Sequence, residues 1–488
     1  MRFTRSCKVP GIRCWRGLAS FMRVRVLGQS VPASVALLAL IEAVLAFLAM
    51  YAAASIRFDV GRGELPALAE FGPLWPRGVA FSAIVVGCLL AFGLYNSRQR
   101  VQLSAILARL VVALVVSSCA TAALFYVVPS LRLGRGVAGL AVLLVLCGVI
   151  VSRLAFARVA DEEIFKRRVL VYGAGSTATA VSRLRRSTDR AGFALAGFVQ
   201  PPGERCAVAP ERVLDAAAGL SNLCGRLGVT EIVVAMDDRR RGFPLPELLD
   251  SRLAGVEVTE VLTFLERETG RVRVDLLNPS WLIFGQGFRR DPMRLFSSRA
   301  LDLLASFGVL VAAAPAMLLT FLAIKFEDGW RAPALYTQAR VGLGGTVFNV
   351  VKFRSMRQDA ELNGAQWAQH GDPRVTRVGA IIRKLRIDEL PQVFNVLRGH
   401  MSFVGPRPER PEFVADLAEK IPYYAQRHCV KPGITGWAQL CYPYGSSESD
   451  ALEKLQYDLY YIKNNSLMFD LAILIQTAEI VLFGKGAR

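Results

Sequence analysis

Histidine occurs three times in 488 residues, and the nine cysteines form no C-x-x-C pair and no Cys/His cluster. That donor set argues against a zinc site, and the cysteines inside apolar runs (Cys88, Cys119, Cys147) read as reduced thiols. No G-x-x-x-x-G-K-[ST] string is present, which excludes phosphate handling by a P-loop. No tyrosine has a lysine four residues later, so the Tyr/Lys pair of membrane-anchored nucleotide-sugar dehydratases is missing. Acids are scarce early in the chain, where residues 1–168 hold 20 Lys/Arg against 7 Asp/Glu and account for thirteen of the net +19. This excess flanks apolar segments, which makes it a footprint of membrane topology rather than of nucleic-acid binding.

Apolar residues make up 53% of the chain, and its length leaves room for two or three domains. Four apolar stretches lie at about 34–56, 78–95, 104–128 and 136–152, each close to the roughly 20 residues that cross a bilayer core. Seven basic residues and no acid precede the first, so the N-terminus is expected in the cytoplasm, and four spans return the chain there near Lys166. The first run is long and ends without a small-residue cleavage site, so no cleavable signal is expected. Glu42 lies inside the first stretch and Arg109 near the start of the third. Glu42 is either a functional intramembrane acid or a side chain reaching the headgroups.

Residues 168–290 alternate strand and helix patterns (RVLVYGAG, GFALAGFVQ, TEIVVAM), as in a doubly wound α/β domain. Gly173, Gly175 and Ala178 follow the G-x-G-x-x-A spacing of dinucleotide turns. The second strand ends in Val199-Gln200 with no acid to hold a ribose, which favours a regulatory or structural domain without a nicotinamide cofactor. Residues 303–324 are 22 uncharged residues, a helix of about 33 Å and long enough to span. A span would put the α/β domain and the basic domain that follows on opposite sides of the membrane. Pro315 near its middle points instead to a re-entrant hairpin, with a plain fifth span as the alternative. The run 466–484, with Asp470 and Glu479, reads as an amphipathic helix lying at the interface or on the domain.

The densest chemistry lies in RKLRIDELPQVFNVLRGHMSFVGPRP (383–408). Asp388 and Glu389 open an expected helix whose first turn holds Pro391. Arg383, Lys384, Arg386 and Arg407 surround them, which suits a phosphorylated substrate and a divalent cation. Taken alone, DELP also fits a plain N-cap beside a solvated basic face. Phosphoryl transfer needs positioning, charge neutralisation and a nucleophile, and aspartate is a competent one.

With KFRSMRQDAE (352–361), DPRVTRVG (372–379), MSFVGPRPE (401–409), KPGITGWAQ (431–439) and YDLYYIKN (457–464) in the same order, residues 292–488 resemble the bacterial polyprenyl-phosphate sugar-phosphate transferases. These enzymes initiate exopolysaccharide assembly. Residues 160–290, including DDRRRGFPLPELL and RVDLLNPSWLIFGQGF, look like the exopolysaccharide sugar transferases associated with PEP-CTERM/exosortase systems. The resemblance implies a membrane protein in three parts: an α-helical transmembrane bundle (1–160), a Rossmann-like α/β domain (161–290) and a mainly α, monotopic catalytic domain with a re-entrant helix (291–488). It implies residence in the bacterial inner membrane, with the catalytic domain on the cytoplasmic side.

Carried over by position, Asp388 is the nucleophile that takes the phosphosugar of a UDP-sugar and releases UMP. Polyprenyl phosphate then accepts it. The resemblance likewise implies that Glu389 binds Mg2+ and that Arg407 binds phosphate. Lys352, Arg354, Asp372, Arg374 and Lys431 match positions near the substrate, although Arg374 also fits a surface ion pair and Lys352 a snorkelling interface residue. Two departures from the family pattern are Ala314 in place of serine before Pro315, and Ser298-Arg299 in place of a basic pair. Tyr460, Tyr461 and Trp437 read as packing or interface aromatics. The implied partners are a UDP-sugar, polyprenyl phosphate, membrane lipids and, as one option, a second copy in a homodimer. The rival reading is an inactive membrane scaffold or ligand-sensing regulator, against which the intact Asp388-Glu389 pair speaks.

Overall fold

The computed structural model describes residues 24–26, 29–31, 33–59, 73–92, 94–95, 103–131, 134–160, 166–184, 192–217, 219–240, 242–277, 291–357, 360, 372–442, 445 and 447–483. The N-terminal basic cluster before residue 24 and NPSWLIFGQG (278–287) lie outside them, as do the side chains of Arg109 and Glu479. The chain divides into two compact units between Phe264 and Leu265.

The first unit begins with helices α1 (Ala33–Asp59), α2 (Trp75–Ala91), α3 (Leu103–Val127) and α4 (Arg135–Ala160). Buried apolar residues close their seam, among them Ala46, Met50, Phe81, Val85, Ala113 and Val145. Leu37, Leu40, Val44 and Leu48 point outward, and an apolar exterior of this kind suits lipid. α1, α3 and α4 contain segments long and apolar enough to cross a membrane, whereas α2 has 17 residues.

Glu42 does not reach the headgroups. It is fully buried and pairs with Arg153 of α4 at 2.9 Å, while Tyr95 beyond α2 donates to its Oε2 at 2.5 Å. Arg77 at the start of α2 donates to the Ser130 carbonyl past α3 at 3.0 Å. The start of α1 thus lies level with the ends of α2 and α4, as an up-and-down bundle requires. Removing one partner of a buried ion pair strands the other, so Glu42→Gln is expected to destabilise the bundle by about 3 kcal/mol, with Arg153→Met in the same background restoring part of it. Thermal unfolding in detergent checks this.

The unit continues as strands β1 (Arg167–Tyr172), β2 (Phe193–Val199), β3 (Val213–Leu214), β4 (Glu231–Val234) and β5 (Glu257–Glu260), with α5 (Ser176–Ser182), α6 (Leu220–Leu227) and α7 (Leu245–Leu253) between them. They form one parallel sheet in the order β3-β2-β1-β4-β5. β1 ends in four buried residues and β4 is buried throughout, as expected of central parallel strands covered on both faces.

The glycine turn after β1 is closed by the chain's own acids. Asp237 accepts from the Ser176 and Thr177 amides at 2.8 and 2.7 Å, and Glu204 accepts from the Ala174 amide at 2.8 Å. A Cβ on Gly175 would lie 2.3 Å from the Asp237 carboxylate, so glycine is required for this closure. Burial works to raise the Asp237 carboxyl, but the bonds from Thr177 and Ser176 hold it below its usual range.

Helix α8 (Val261–Thr269) carries the chain across the division, and the second unit is mainly helical. It contains α9 (Pro292–Asp328), the antiparallel pair β6 (Leu335–Val341) and β7 (Val347–Phe353), α10 (Arg377–Lys384) and α11 (Val393–Arg398). There follow β8 (Ser402–Val404), α12 (Pro411–Lys420), β9 (Gly433–Thr435) parallel to β8, α13 (Trp437–Cys441), α14 (Glu448–Asn464) and α15 (Leu467–Phe483). Residues 265–277, expected from sequence in the α/β domain, pack inside this second unit. Val272 and Val274 join Leu417, Tyr424, Leu455 and Leu459 in one buried cluster.

The run 303–324 lies within α9, one helix of 37 residues that continues through Pro315 on its exposed side. A lost i→i−4 bond among alanines, which favour helix, does not end the helix. Both ends of α9 are held by the same unit. Arg299 donates to the Val396 and Leu397 carbonyls at 2.6 Å, capping α11, and Asp302 accepts from Ser402 Oγ and the Phe403 amide at 2.8 and 2.9 Å. At the far end Glu327 accepts from the Arg377 and Val378 amides at 2.9 and 3.0 Å, at the positive end of α10. One stripe (Asp302, Ser306, Thr320, Ile324) is buried, while Leu304, Phe307, Val311, Leu318 and Leu319 stay exposed along the other side.

α15 lies on the domain, as one of the two sequence readings has it. Asp470 is buried, pairing with Arg294 at 2.7 Å and accepting from Tyr461 at 2.9 Å.

Candidate active site

Three separate stretches build the site. β7 brings Lys352, a 3₁₀ turn over Ile387–Gln392 brings Asp388 and Glu389, and the Pro406-Arg407-Pro408 run after β8 brings Arg407. The helix expected to open at the acids begins there in the tighter 3₁₀ form, and α11 follows from Val393. Arg386 explains the break, since its left-handed backbone (φ 59°) ends the geometry of α10 and re-aims the chain. Gly405 then allows a close approach, because a Cβ there would meet the Lys431 carbonyl oxygen at 2.4 Å.

Glu389 is the hub. Arg407 Nη2 donates to its Oε1 at 2.6 Å, Lys352 Nζ lies 3.5 Å from the same oxygen, and Arg386 lies 3.9 Å from Oε2. Burial alone would raise the Glu389 carboxyl, but Arg407 and Lys352 outweigh it and hold the group well below the usual carboxylate range. Burial pushes the Lys352 ammonium down to about 8, against the pull of Glu389 and with further lowering from Arg407 and Arg340. Asp388 moves the other way. Burial and the Glu389 charge raise its carboxyl, with Lys352, Arg383 and Arg386 opposing. Among the described residues its buried Oδ1 has no hydrogen-bond partner. Two adjacent carboxylates are thereby driven apart in character, as in sites where two acids take different roles.

Beside them lies a small open cleft lined by Arg340, Val350, Lys352, Gln392, Arg407 and Pro408. Three cations and no acid line it, which suits a diphosphate. Arg340 was not singled out in the sequence. Register finds it: Arg340 pairs with Phe348, Gln338 with Val350 and Tyr336 with Lys352, so Arg340 and Lys352 share one face of the hairpin.

The other sequence candidates do not line this cleft. Arg374 and Asp372 form a two-pronged pair with each other at 2.8 and 2.5 Å, and Arg374 also donates to the Ala360 carbonyl. Arg354 binds Asp328 at 2.5 Å in the last turn of α9. The Lys431 ammonium lies 3.8 Å from where a Cβ on Gly399 would sit, and its charge acts on Asp302. Trp437 donates to the Gly270 carbonyl at 2.8 Å and stacks edge-on against Phe469, a packing role.

Asn395, also unremarked in the sequence, fixes β7 to α11. Its Oδ1 accepts from the Val351 amide at 3.0 Å and its Nδ2 donates to the Asn349 carbonyl at 2.7 Å. Asn395→Ala is expected to cost about 1–3 kcal/mol through the stranded amide and to lower turnover by displacing Lys352. Thermal unfolding read beside kcat checks it.

The sequence profile of the bacterial sugar transferases matches residues 293–484. The chain is 46% identical over 236 residues to an Aeromonas hydrophila protein named UDP-N-acetylgalactosamine-undecaprenyl-phosphate N-acetylgalactosaminephosphotransferase, covering 48% of this chain and 55% of that one. It is 36% identical over 336 residues to the undecaprenyl-phosphate glucose phosphotransferase of Komagataeibacter xylinus, covering 66% and 60%. With a Caulobacter vibrioides protein named UDP-glucose:undecaprenyl-phosphate glucose-1-phosphate transferase it shares 43% identity over 191 residues, 39% of this chain and 71% of that one. The chain belongs to the bacterial sugar transferase family. It spans 55% and 60% of the length of the first two of these relatives.

Proposed function

We propose that this chain transfers a sugar phosphate from a UDP-sugar to polyprenyl phosphate, releasing UMP, as the first step of exopolysaccharide repeat-unit assembly. The observation that carries the reading is the Asp388–Glu389 pair beside a cationic cleft: one carboxylate held by Arg407 and Lys352, the other buried with an unpartnered oxygen.

An Asp388 oxygen attacks the sugar-bearing phosphorus. The bond to the UMP oxygen breaks, and UMP leaves with the electron pair. Polyprenyl phosphate then attacks the same phosphorus through an oxygen, and the Asp388 carboxylate is released as polyprenyl-diphosphate-sugar forms. Arg407, Arg340 and Lys352 hold the diphosphate oxygens and offset the charge that builds on them. The unpartnered Asp388 oxygen beside an anionic Glu389 fits a hard, oxygen-seeking cation, with Glu389 as the holding residue. Bound Mg2+ would supply charge neutralisation on the diphosphate.

α9, docked at both ends to one unit and apolar along its outer side, supports a re-entrant seat in one leaflet. That seat sets the site at headgroup depth on the cytoplasmic face. Arg354 serves there by tying the last turn of α9 to β7 through Asp328, and Asp372–Arg374 braces the loop before α10. Lys431 contributes charge from the β9 side. The strand order β3-β2-β1-β4-β5 supports the Rossmann-like reading of the α/β domain. Its phosphate turn, already satisfied by Asp237 and Glu204, supports a structural or regulatory role.

The test is UMP release by the purified full-length protein in lipid with polyprenyl phosphate, across UDP-glucose, UDP-galactose and UDP-N-acetylgalactosamine. The reading expects release from at least one donor, abolished by EDTA and restored by Mg2+. No release from any of a wide set of UDP-sugars by folded protein would favour the scaffold reading.

A further inference from the structure

The cluster that Val272 enters includes Ala451, Leu455 and Leu459 of α14. Glu266 pairs with Lys463 at 2.7 Å and accepts from Asn464 at 2.9 Å. Arg271 pairs with Glu453, and the Val272 amide donates to the Gln456 carbonyl at 3.0 Å. Val272 is fully buried. The 265–277 segment therefore grips α14 at residues 453, 456, 463 and 464 by charge, by backbone and by an apolar plug.

The same helix carries Asp458, 2% exposed, which accepts from Arg427 Nη2 at 2.8 Å. Arg427 is itself buried, and the same Nη2 donates to the Arg407 carbonyl at 3.0 Å while Nη1 donates to Tyr424 at 2.7 Å. Arg407 in turn holds Glu389. A planar fork that joins a helix carboxylate to the backbone of a phosphate-binding arginine fixes where that arginine points. An unpaired charge at this depth is costly, so Arg427 follows Asp458 if α14 shifts.

We propose that residues 265–277 are a strap that sets Arg407 through α14, Asp458 and Arg427, with Arg427 as the positioning residue. The proposal rests on Arg407 binding substrate phosphate. Arg427 touches no substrate, so its loss acts on binding more than on the chemical step.

The test uses the full-length protein with Arg427→Lys, and separately Glu266→Ala/Val272→Ala, which loosens the strap and leaves the cleft untouched. For Arg427→Lys the expected result is a rise in KM for the UDP-sugar of about tenfold, with kcat within about twofold. The strap variant should move KM the same way, by about threefold. In an Arg407→Lys background neither change should raise KM further, because both act through Arg407. Hydrogen exchange supplies a reading that needs no turnover: protection of 265–277 and 401–410 should fall together in the strap variant. Effects that multiply fully with Arg407→Lys overturn the proposal, as does a strap variant that exchanges faster at 265–277 while 401–410 and KM stay unchanged. A wild-type protein that turns over no UDP-sugar overturns the function and leaves the exchange result to judge the strap.

Discussion

Asp388→Asn is expected to lower turnover by about 10⁴-fold or more while leaving the fold as stable as before, or more so. Asparagine keeps the shape of the side chain and removes the nucleophilic charge. The buried Asp388 Oδ1 has no protein partner among the described residues, so the amide breaks no bond there. Burial and the Glu389 charge already disfavour the ionised form, and neutralising Asp388 relieves both. A variant that is inactive yet melts no lower than wild type separates chemistry from structure, and thermal unfolding beside UMP release reads both.

Glu389→Gln is expected to behave in the opposite way on stability. The carboxylate sits between Arg407 at 2.6 Å and Lys352 at 3.5 Å, so its removal takes away the counter-charge that both share. The melting temperature should fall, turnover should drop about 10³-fold, and half-saturation by Mg2+ should move to higher concentration. The sign of the linkage adds a second check. A carboxyl held below its usual value contributes stability above the unfolded value of about 4.5 and loses it as pH falls toward the lower folded value. Wild type should therefore lose stability relative to Glu389→Gln as pH is lowered from 5 toward 3. A wild-type to variant gap that stays constant over that range would break the assignment of Glu389 as the charge hub.

The acid pair, Arg407 and Lys352 were legible in the sequence because they sit in short, dense motifs. What joins them was not. Arg340 enters the cleft only through the register of a hairpin, and Asn395 only through two backbone groups on another strand. The pairings Asp372–Arg374 and Arg354–Asp328 are not visible in the spacing of the motifs that carry these residues. The strap at 265–277 lies in sequence beside the α/β domain, and its place follows from a buried Val272 and a helix, α14, that begins 176 residues later. Pro315 marks no break in the helix, because one missing hydrogen bond in a run of alanines does not end it. The α/β fingerprint shows in the sequence as a glycine spacing, but Asp237 and Glu204, which take its amides, are 61 and 30 residues away from their partners.

The central claim is that a phosphosugar passes through Asp388, and peptide mass analysis tests it most directly. The purified full-length protein would be incubated with Mg2+ and its UDP-sugar but no polyprenyl phosphate, quenched and digested with trypsin. A mass increase equal to one sugar phosphate should appear on the peptide Ile387–Arg398 and localise to Asp388. It should disappear when polyprenyl phosphate is added before quenching, and be absent from Asp388→Asn. An adduct on any other residue, an adduct that survives in Asp388→Asn, or steady turnover with no adduct under rapid quenching would contradict the account.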